Sequence, residues 1–264
     1  MQNYSCIDKR IYVYSQSNQG VAKARENGVI KAKGNYITFL DVDDSIEPNS
    51  LLSAINTLKF KNGDILVSSF NIITNGKCRN INNICFKEIS RNEYFKLLLS
   101  GICGWELCGK IYKKSVFERQ ISTPNHLRIG EDAAVYVQLV YNSSVIIGFD
   151  IPFYNYIINN QSASHIKSKK YAEETIEAAF YIEDLLLKYK LPEDIYQYIG
   201  SMYLLFFSNS ISKGYLGNDH KYVKYIKSNH FNYSSFKKIK LIKVLYILFV
   251  YFTNGNILKL IKRI

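Results

Sequence analysis

Three aspartates lie close together after a predicted strand. Residues 36–40 form a short run of apolar, β-branched and aromatic side chains, typical of a strand buried on both faces in a parallel sheet, and Asp41, Asp43 and Asp44 follow it directly. Ligands of open α/β sheets bind at the carboxyl ends of the strands. Carboxylates this close repel one another unless a cation or a donor-rich ligand lies between them. The stretch therefore indicates a cation or ligand site, with a solvated Asp-rich turn as the alternative.

A second acidic pair, Glu131 and Asp132, follows Gly130 at the start of a predicted helix. Carboxylates at a helix N-terminus interact favourably with the helix dipole, so helix capping alone explains such a pair. The alternative is catalytic, because a reaction that needs one carboxylate group for a metal ion and another for a proton draws them from different elements. The sequence leaves both interpretations open.

The elements that would position these groups form a predicted βαβ unit. Residues 10–16 alternate in polarity, which predicts a strand, and helical spacing of small and apolar residues begins at Val21. The strand at 36–40 follows, with a right-handed crossover expected. Arg25 lies in the first turns of the helix, where its guanidinium and the backbone N–H groups could bind a phosphate. Gly28 is expected to allow close packing of this helix on the sheet.

Helices and strands continue to alternate after the aspartates. A helix is predicted at 49–60, with Leu51, Leu52, Ile55 and Leu58 turned inward, and a strand at 64–70. Two β-rich pieces, 70–74 and 84–89, are predicted to join through Asn75-Gly76, a strong hairpin dipeptide. Ser90 is expected to cap a helix that runs to Leu99.

Residues 101–117 combine glycines with the single tryptophan of the chain and predict an active-site loop that leads into an edge strand. Trp105 is a core residue by default, since buried aromatic side chains mostly pack. A role beside a bound substrate is the alternative.

The composition restricts the class of protein. The 264 residues, 47% hydrophobic and 21% charged, predict a globular chain with a sizeable core. A net charge of +12 indicates an anionic partner: nucleotide phosphates, an acidic membrane surface or nucleic acid. Five cysteines without a C-x-x-C pair and four scattered histidines argue against zinc and a disulfide framework, and favour a reducing cytoplasm. The first ten residues contain no apolar stretch, which predicts no secretory signal.

A series of short motifs occurs in a fixed order between residues 11 and 165. They are Asn18-Gln19-Gly20, Ala24-Arg25, Gly28, Ala32-Lys33-Gly34, residues 36–44 with Pro48, Asp64-Ile65, Lys110-Ile111-Tyr112, Glu131-Asp132, and Tyr154-Asn155-Tyr156 with Ser162 and Ser164. Together they resemble the nucleotide-sugar half of family 2 glycosyltransferases, which are inverting enzymes of the GT-A fold.

The resemblance implies an α/β fold of the GT-A type, a Rossmann-like mixed sheet flanked by helices. It implies transfer of a sugar from a nucleotide-sugar donor, with a divalent metal, Mg or Mn, stabilising the leaving diphosphate. A carboxylate base would remove the acceptor proton during one in-line displacement, which inverts the anomeric carbon. The implied site residues are the donor-binding Arg25, Asp41, Asp43 and Lys110, the metal-binding Asp41 and Asp43, the catalytic Asp132 and Glu131, and Trp105 on the acceptor side.

Two features depart from the family. Glu26 stands where members usually show Asn, and the family's first strand, its Pro-x-Tyr-Asn turn and its Val-Asp-Asp-Gly-Ser stretch have no counterpart. The sequence therefore predicts an N-terminally truncated catalytic domain over residues 1–165, with an open strand edge at 10–16 or 36–41. An inactive remnant of such an enzyme is the alternative function.

Residues 166–264 predict a C-terminal α-helical region, with helices at 171–189, 192–213 and 220–227 and an apolar segment at 241–252. That segment is about a dozen residues long and a membrane span needs about 20, so no transmembrane helix is expected. At 257–264 apolar side chains share one face and basic ones take the other, typical of a helix on an anionic membrane; a core-packing helix with a basic edge is the alternative.

These observations predict a cytoplasmic enzyme, peripheral at the inner face of the cell membrane, that builds a surface polysaccharide. The expected acceptor is a glycan or a polyprenyl-linked acceptor, presented at that anionic surface. A basic membrane- or nucleic-acid-binding module is the weakest hypothesis, because the charges are dispersed and no RNP-like, zinc or helix-turn-helix motif accompanies them. We therefore expect no nucleic-acid partner.

Overall fold

The protein is an α/β structure with a helical C-terminal part. The computed structural model describes residues 2–119, 121–124, 126–158, 168–212, 216 and 219–253. Within these residues a mixed seven-stranded sheet carries helices on both faces. The predicted fold class, a mixed sheet flanked by helices and followed by an α-helical region, is confirmed.

The sheet is largely antiparallel. Its main path runs β1-β6-β3-β7-β2, while β4 pairs with β3 and β5 pairs with β7. Among the described strands only β3 and β7 are parallel neighbours, in a register that sets Ile65 opposite Ile146. The strands are β1 (Tyr36–Ile37), β2 (Ser45–Ile46), β3 (Ile65–Thr74), β4 (Lys77–Ile81), β5 (Glu88–Ser90), β6 (Lys110–Lys113) and β7 (Val145–Ile157).

The helices divide between the sheet region and the C-terminal part. A short 3-10 helix, Lys114–Phe117, follows β6. The α-helices are α1 (Gln2–Ile7), α2 (Val21–Lys31), α3 (Pro48–Phe60), α4 (Arg91–Leu99), α5 (Glu131–Asn142), α6 (Lys169–Lys188), α7 (Glu193–Tyr196), α8 (Ile199–Ser212), α9 (Lys221–His230), α10 (Tyr233–Phe236) and α11 (Leu241–Thr253).

The central strand β3 separates two hydrophobic clusters. Ile65 and Val67 face the larger cluster with α4 and α5, and Leu66 between them faces the smaller cluster with α3. This alternation is what a strand covered on both faces requires. Inside the larger cluster, Tyr94 of α4 and Tyr136 of α5 join their hydroxyls at 2.6 Å, so both buried polar groups are satisfied.

The C-terminal helices extend the larger cluster. Residues of α6, α8, α9 and α11 belong to the same hydrophobic cluster as those of α4 and α5. The predicted boundary between residues 1–165 and 166–264 falls outside the described residues, so that division stays a prediction. None of the helices in the described part of the chain is both long and apolar enough to cross a bilayer.

Local signals in the sequence were accurate at two places. Ser90 caps α4 in a full capping box with Glu93. Asn75 and Gly76 both adopt positive φ, 49° and 75°, as a two-residue type I′ hairpin requires. The returning strand is β4, directly after the turn, and not the predicted piece at 84–89, of which only the end belongs to β5.

The predicted βαβ unit is wrong. Residues 10–16 are not a strand; instead the rings of Tyr12 and Tyr14 lie 4.3 Å and 5.2 Å from the amino groups of Lys33 and Lys31. The alternation of this segment therefore reflects contacts with the C-terminal end of α2 and not pairing in the sheet. The segment remains mostly exposed to solvent.

The strand before the aspartates is shorter than predicted. It is confined to β1, pairs antiparallel with β6, and ends the strand order, so its outer edge has no partner among the described strands. Leu40 is 51% exposed, which excludes a strand buried on both faces. Conversely β6, predicted as an edge strand, lies between β1 and β3.

Three smaller expectations also fail. Leu52 is 61% exposed, so it is not turned inward in α3. The helix predicted at 192–213 is broken into α7 and α8. Gly28 is exposed, and a Cβ at this position would meet no atom within 4 Å, so Gly28 is not needed for close packing. Ser162, Ser164 and the segment 257–264 lie outside the described residues.

We predict opposite effects on stability for two glycine substitutions. Gly28→Ala should raise the free energy of unfolding by about 0.5–1 kcal/mol, because alanine is the better helix former and space is open around it. Gly63→Ala should lower it by about 1–3 kcal/mol, because the new Cβ would lie 2.4 Å from Ile147 Cγ1. Urea unfolding of both variants measures this, and a destabilised Gly28→Ala would show that α2 packs more tightly than described.

Candidate active site

Arg25 joins the two acidic clusters that the sequence singled out. It projects from α2, donates from Nη2 to Asp41 Oδ1 at 3.0 Å, and donates from Nη1 to Asp132. Its side chain is 15% exposed. Burial by itself would lower the pKa of Arg25, but the charges of Asp132 and Asp41 raise that pKa above its ordinary value. The two carboxylate groups, 91 residues apart in the chain, therefore meet around one permanent cation.

Asp132 binds groups outside its own helix. Besides Arg25, its Oδ2 accepts the backbone N–H of Leu107 at 3.4 Å. Burial raises the pKa of Asp132, and the guanidinium of Arg25 opposes that rise without cancelling it. The preceding Gly130 has φ 90°, and a Cβ there would lie 2.5 Å from Ala178, so this turn into α5 requires glycine. Capping of α5 therefore does not account for this carboxylate.

Glu131 lies beside Asp132 at the wall of a cavity. Burial, reinforced by the negative charge of Asp132, raises the pKa of Glu131 from its ordinary 4.5 to about 7. Near neutral pH this carboxyl group is therefore divided between its protonated and ionised forms, which is the state that proton transfer requires.

Asp44 anchors the loop of residues 41–44, which follows β1, to the sheet. Its Oδ1 accepts the backbone N–H of Ile157 at 2.8 Å, and its Oδ2 accepts the hydroxyl of Tyr154, both from β7. The same tyrosine oxygen accepts the N–H of Asp41 at 3.4 Å. Burial raises the pKa of Asp44 against these hydrogen bonds. Sequence reasoning grouped Asp44 with the ligand carboxylates, whereas the structure gives it and Tyr154 a positioning role.

Asp41 and Asp43 are the carboxylates left for a cation. Asp43 is half-buried and makes no hydrogen bond or ion pair within the described residues. Asp41 Oδ2 lies 3.5 Å from the Sγ of Cys108, a thiol whose pKa burial raises to about 12 and which therefore donates. No group of three or more His, Cys, Asp or Glu side chains in the described chain is arranged to hold a metal ion. Two carboxylates fit an ion such as Mg²⁺, which takes its remaining ligands from water and substrate phosphates.

Lys110 and Trp105 do not join this arrangement. Lys110 is 1% exposed, donates to Glu106 Oε1 at 3.0 Å, and lies 4.8 Å from the centre of the Tyr136 ring. Trp105 is half-buried and packs edge-to-face on Phe206 of α8, with ring centres 5.4 Å apart. Their predicted roles in donor binding and on the acceptor side stay predictions.

A cavity of about 320 Å³ opens between α2, α5 and the loop that follows β6. Arg25, Glu131 and Asp132 lie in its wall, and apolar side chains such as Phe39 and Val135 complete it. The sequence analysis missed Arg119 and Arg128, which also line the cavity. No sequence motif marks these two arginines, because they meet the residues of α2 only once the chain has folded.

The mixed sheet and its flanking helices form an α/β fold of the GT-A type. Residues 1–122, a little under half of the chain, match the family described as Glycosyl transferase family 2. The structure is similar to the crystal structure of Staphylococcus aureus TarS, residues 1–349, in complex with UDP-GlcNAc. That likeness has a TM-score of 0.56 and 15% identity, and it covers 95% of this chain and 67% of the TarS 1–349 chain.

Two curated relatives are similar in sequence. The glycosyltransferase GlyA of Streptococcus pneumoniae serotype 4 is 25% identical over 191 residues, which cover 67% of this chain and 27% of GlyA. The cholesterol galactosyltransferase of Borreliella burgdorferi is 39% identical over 62 residues, 24% of this chain and 17% of that protein. The chain thus spans well under half the length of these two relatives.

We predict that Glu131 makes stability depend on pH. The pKa of Glu131 is higher in the folded protein, about 7 against an ordinary 4.5, so the folded state holds this proton more tightly than the unfolded state. The resulting stabilisation is fully present below about pH 4.5 and is lost as the pH rises through 7. Glu131→Gln, which stays neutral, should therefore gain about 1–3 kcal/mol relative to wild type between pH 5 and pH 8.

Urea unfolding at the two pH values measures this gain. Glu118→Gln, at an exposed carboxylate in the wall of the same cavity, serves as the matched control and should show no such trend. An equal pH response of both variants would remove Glu131 as its source.

Proposed function

We propose that this glycosyltransferase moves a sugar from a nucleotide-sugar donor to a glycan acceptor by an inverting, metal-dependent displacement. The observation that carries the proposal is the bridge by which Arg25 holds Asp41 and Asp132 in one site. This bridge supplies the two kinds of carboxylate that the reaction needs. Asp41 lies in the loop proposed to bind a cation, and Asp132 has a pKa raised by burial.

The donor is proposed to bind against the loop of Asp41 and Asp43. These residues would hold a divalent metal, Mg or Mn, which stabilises the negative charge of the leaving diphosphate. The complex of TarS with UDP-GlcNAc supports a nucleotide-sugar as the ligand of this fold. Arg25 would contact the donor once a phosphate competes with Asp41 for its guanidinium.

Asp132 is proposed as the general base. Arg25 holds its carboxylate in place, and the N–H of Leu107 fixes the other oxygen, so that the group is oriented before an acceptor binds. Removal of the acceptor hydroxyl proton would leave Asp132 neutral, and the charge of Arg25 would stay compensated by Asp41 or by the donor phosphate that replaces it. Glu131, with a pKa of about 7, lies next to it and could accept that proton afterwards.

The acceptor side and the location follow from the family resemblance and from charge. We propose a polyprenyl-linked glycan acceptor in surface polysaccharide biosynthesis, and a cytoplasmic enzyme peripheral at the anionic inner face of the membrane. The net charge of +12 supports an anionic surface as partner. An inactive remnant of a glycosyltransferase is the competing proposal, and the substitutions below distinguish the two.

Asp132→Asn should lower the transfer rate by about 10²–10⁴ with little change in the donor dissociation constant, because the amide keeps the shape and cannot take a proton. Single-turnover assays with radiolabelled nucleotide-sugars, together with donor titration calorimetry, separate the two quantities. Glu131→Gln is the matched control and should affect the rate much less. A silent Asp132→Asn beside a damaging Glu131→Gln would reverse their roles, and no transfer by wild type with any donor would favour the remnant.

Asp43→Asn should abolish the manganese-dependent part of donor binding while leaving the fold intact, because the side chain has no structural partner to lose within the described residues. Calorimetric titration of nucleotide-sugars with and without manganese measures this. Asp219→Asn, which removes an exposed carboxylate of the C-terminal part, should bind as wild type does. Manganese dependence that survives in Asp43→Asn would exclude Asp43 as a metal ligand.

A further inference from the structure

Helix α11 presents an apolar face to solvent. Leu241, Ile242, Leu245, Tyr246 and Phe252 are each between 45% and 77% exposed. With 3.6 residues per turn these positions fall within an arc of about 140° of the helix surface. The opposite side of α11 is packed, since Ile247 is buried in the larger hydrophobic cluster and Val244 packs against it. We call the five exposed side chains the α11 face.

The positive charge of the protein is concentrated in the stretch of sequence that contains α11. Residues 220–264 contain ten of the 34 Lys and Arg residues and none of the 22 Asp and Glu residues, so +10 of the net +12 resides there. Lys237 and Lys240, directly before α11, are exposed. Tyr233, also 80% exposed, adds an aromatic side chain beside Lys237, with 5.8 Å between the amino group and the ring centre.

We propose that the α11 face docks on the surface of an anionic phospholipid bilayer, with α11 lying in the plane of the headgroups. An exposed apolar helix face flanked by lysines, with aromatic side chains among its residues, is the composition that binds such an interface. Lipid is favoured over a second copy of this chain, because self-association through α11 would bring two segments of +10 together, and like charges repel.

Docking would place the loop of Gly101 and Trp105, between α4 and β6, close to the bilayer. Lys243 of α11 donates from Nζ to the carbonyl of Gly101, and Leu205 of α8 also packs beside Gly101. Gly101 lies four residues before Trp105. Because α11 is fixed to this loop, a bilayer under the α11 face would present membrane-bound acceptors on the side of Trp105. This placement rests on the proposed function, whereas vesicle binding itself requires neither donor nor acceptor.

The test is co-sedimentation of the full chain with vesicles of phosphatidylcholine alone and with vesicles containing phosphatidylglycerol. We expect binding to the anionic vesicles that weakens as salt is raised, and that falls by about tenfold or more in Leu245→Gln/Phe252→Gln. Leu52→Gln/Phe60→Gln removes two equally exposed apolar side chains from α3 and should leave binding unchanged. Lys237→Gln/Lys240→Gln should weaken binding, and Lys77→Gln/Lys87→Gln, at exposed lysines of the sheet region, should do so less.

Circular dichroism and thermal unfolding confirm that each variant is folded. Equal binding by wild type and Leu245→Gln/Phe252→Gln would overturn the proposal, as would absence of binding to anionic vesicles. Sedimentation velocity measures whether the protein forms a dimer. If wild type dimerises, Leu245→Gln/Phe252→Gln does not, and wild type binds no vesicles, then the α11 face binds a second copy and the proposal is wrong. Failure of sugar transfer alone leaves the vesicle result unaffected, so the two proposals fail separately.

Discussion

The arrangement of the site depends on one buried guanidinium with two carboxylate partners. Arg25 holds together α2, the loop after β1 and the start of α5. Val29, 9% exposed, is the only buried side chain of α2, so little apolar contact fixes that helix. The side chain of Asp132 is 27% exposed and that of Asp41 44% exposed, so removing Asp132 would leave the guanidinium with the loss that solvent shields less. The charged triad therefore positions α2 as well as joining the residues of the candidate site.

Under the proposed function, the same triad gives a reason why a cation would be needed before a diphosphate binds. Arg25 neutralises one of its two partners, and Asp43 adds a further negative charge nearby, so the loop is acidic although the whole chain carries +12. A diphosphate approaching this loop alone would meet like charge. A divalent ion would reverse the local sign, so the proposed link between donor binding and the metal would act through electrostatics and not through a preformed cage of protein ligands.

Short-range chemistry was predictable from the sequence, and tertiary context was not. The Ser90 capping box, the Asn75-Gly76 hairpin and the acidic pair at the start of α5 each depend on a few neighbouring residues. The strand predicted at 10–16 failed because alternation also suits a segment whose tyrosines contact lysines at the end of α2. Similarly, nothing local distinguishes Asp44 from its neighbours, since its anchoring role depends on a tyrosine 110 residues away.

Helix α8 connects the C-terminal part to the loop of Trp105, which lies between α4 and β6. It packs against α6, α9, α10 and α11, and its Phe206 contacts Trp105. Although α8 carries buried serines, the hydroxyls of Ser201 and Ser210 donate to the carbonyls of Ser235 and Ala172, so its burial leaves these groups satisfied. Because α8 is close-packed, a shift of one neighbouring helix cannot be taken up by empty space and is passed on to the others. Any partner that fixes α11 would therefore also fix the loop that carries Trp105, which would couple the outer surface of the C-terminal helices to the acceptor if Trp105 has its proposed role.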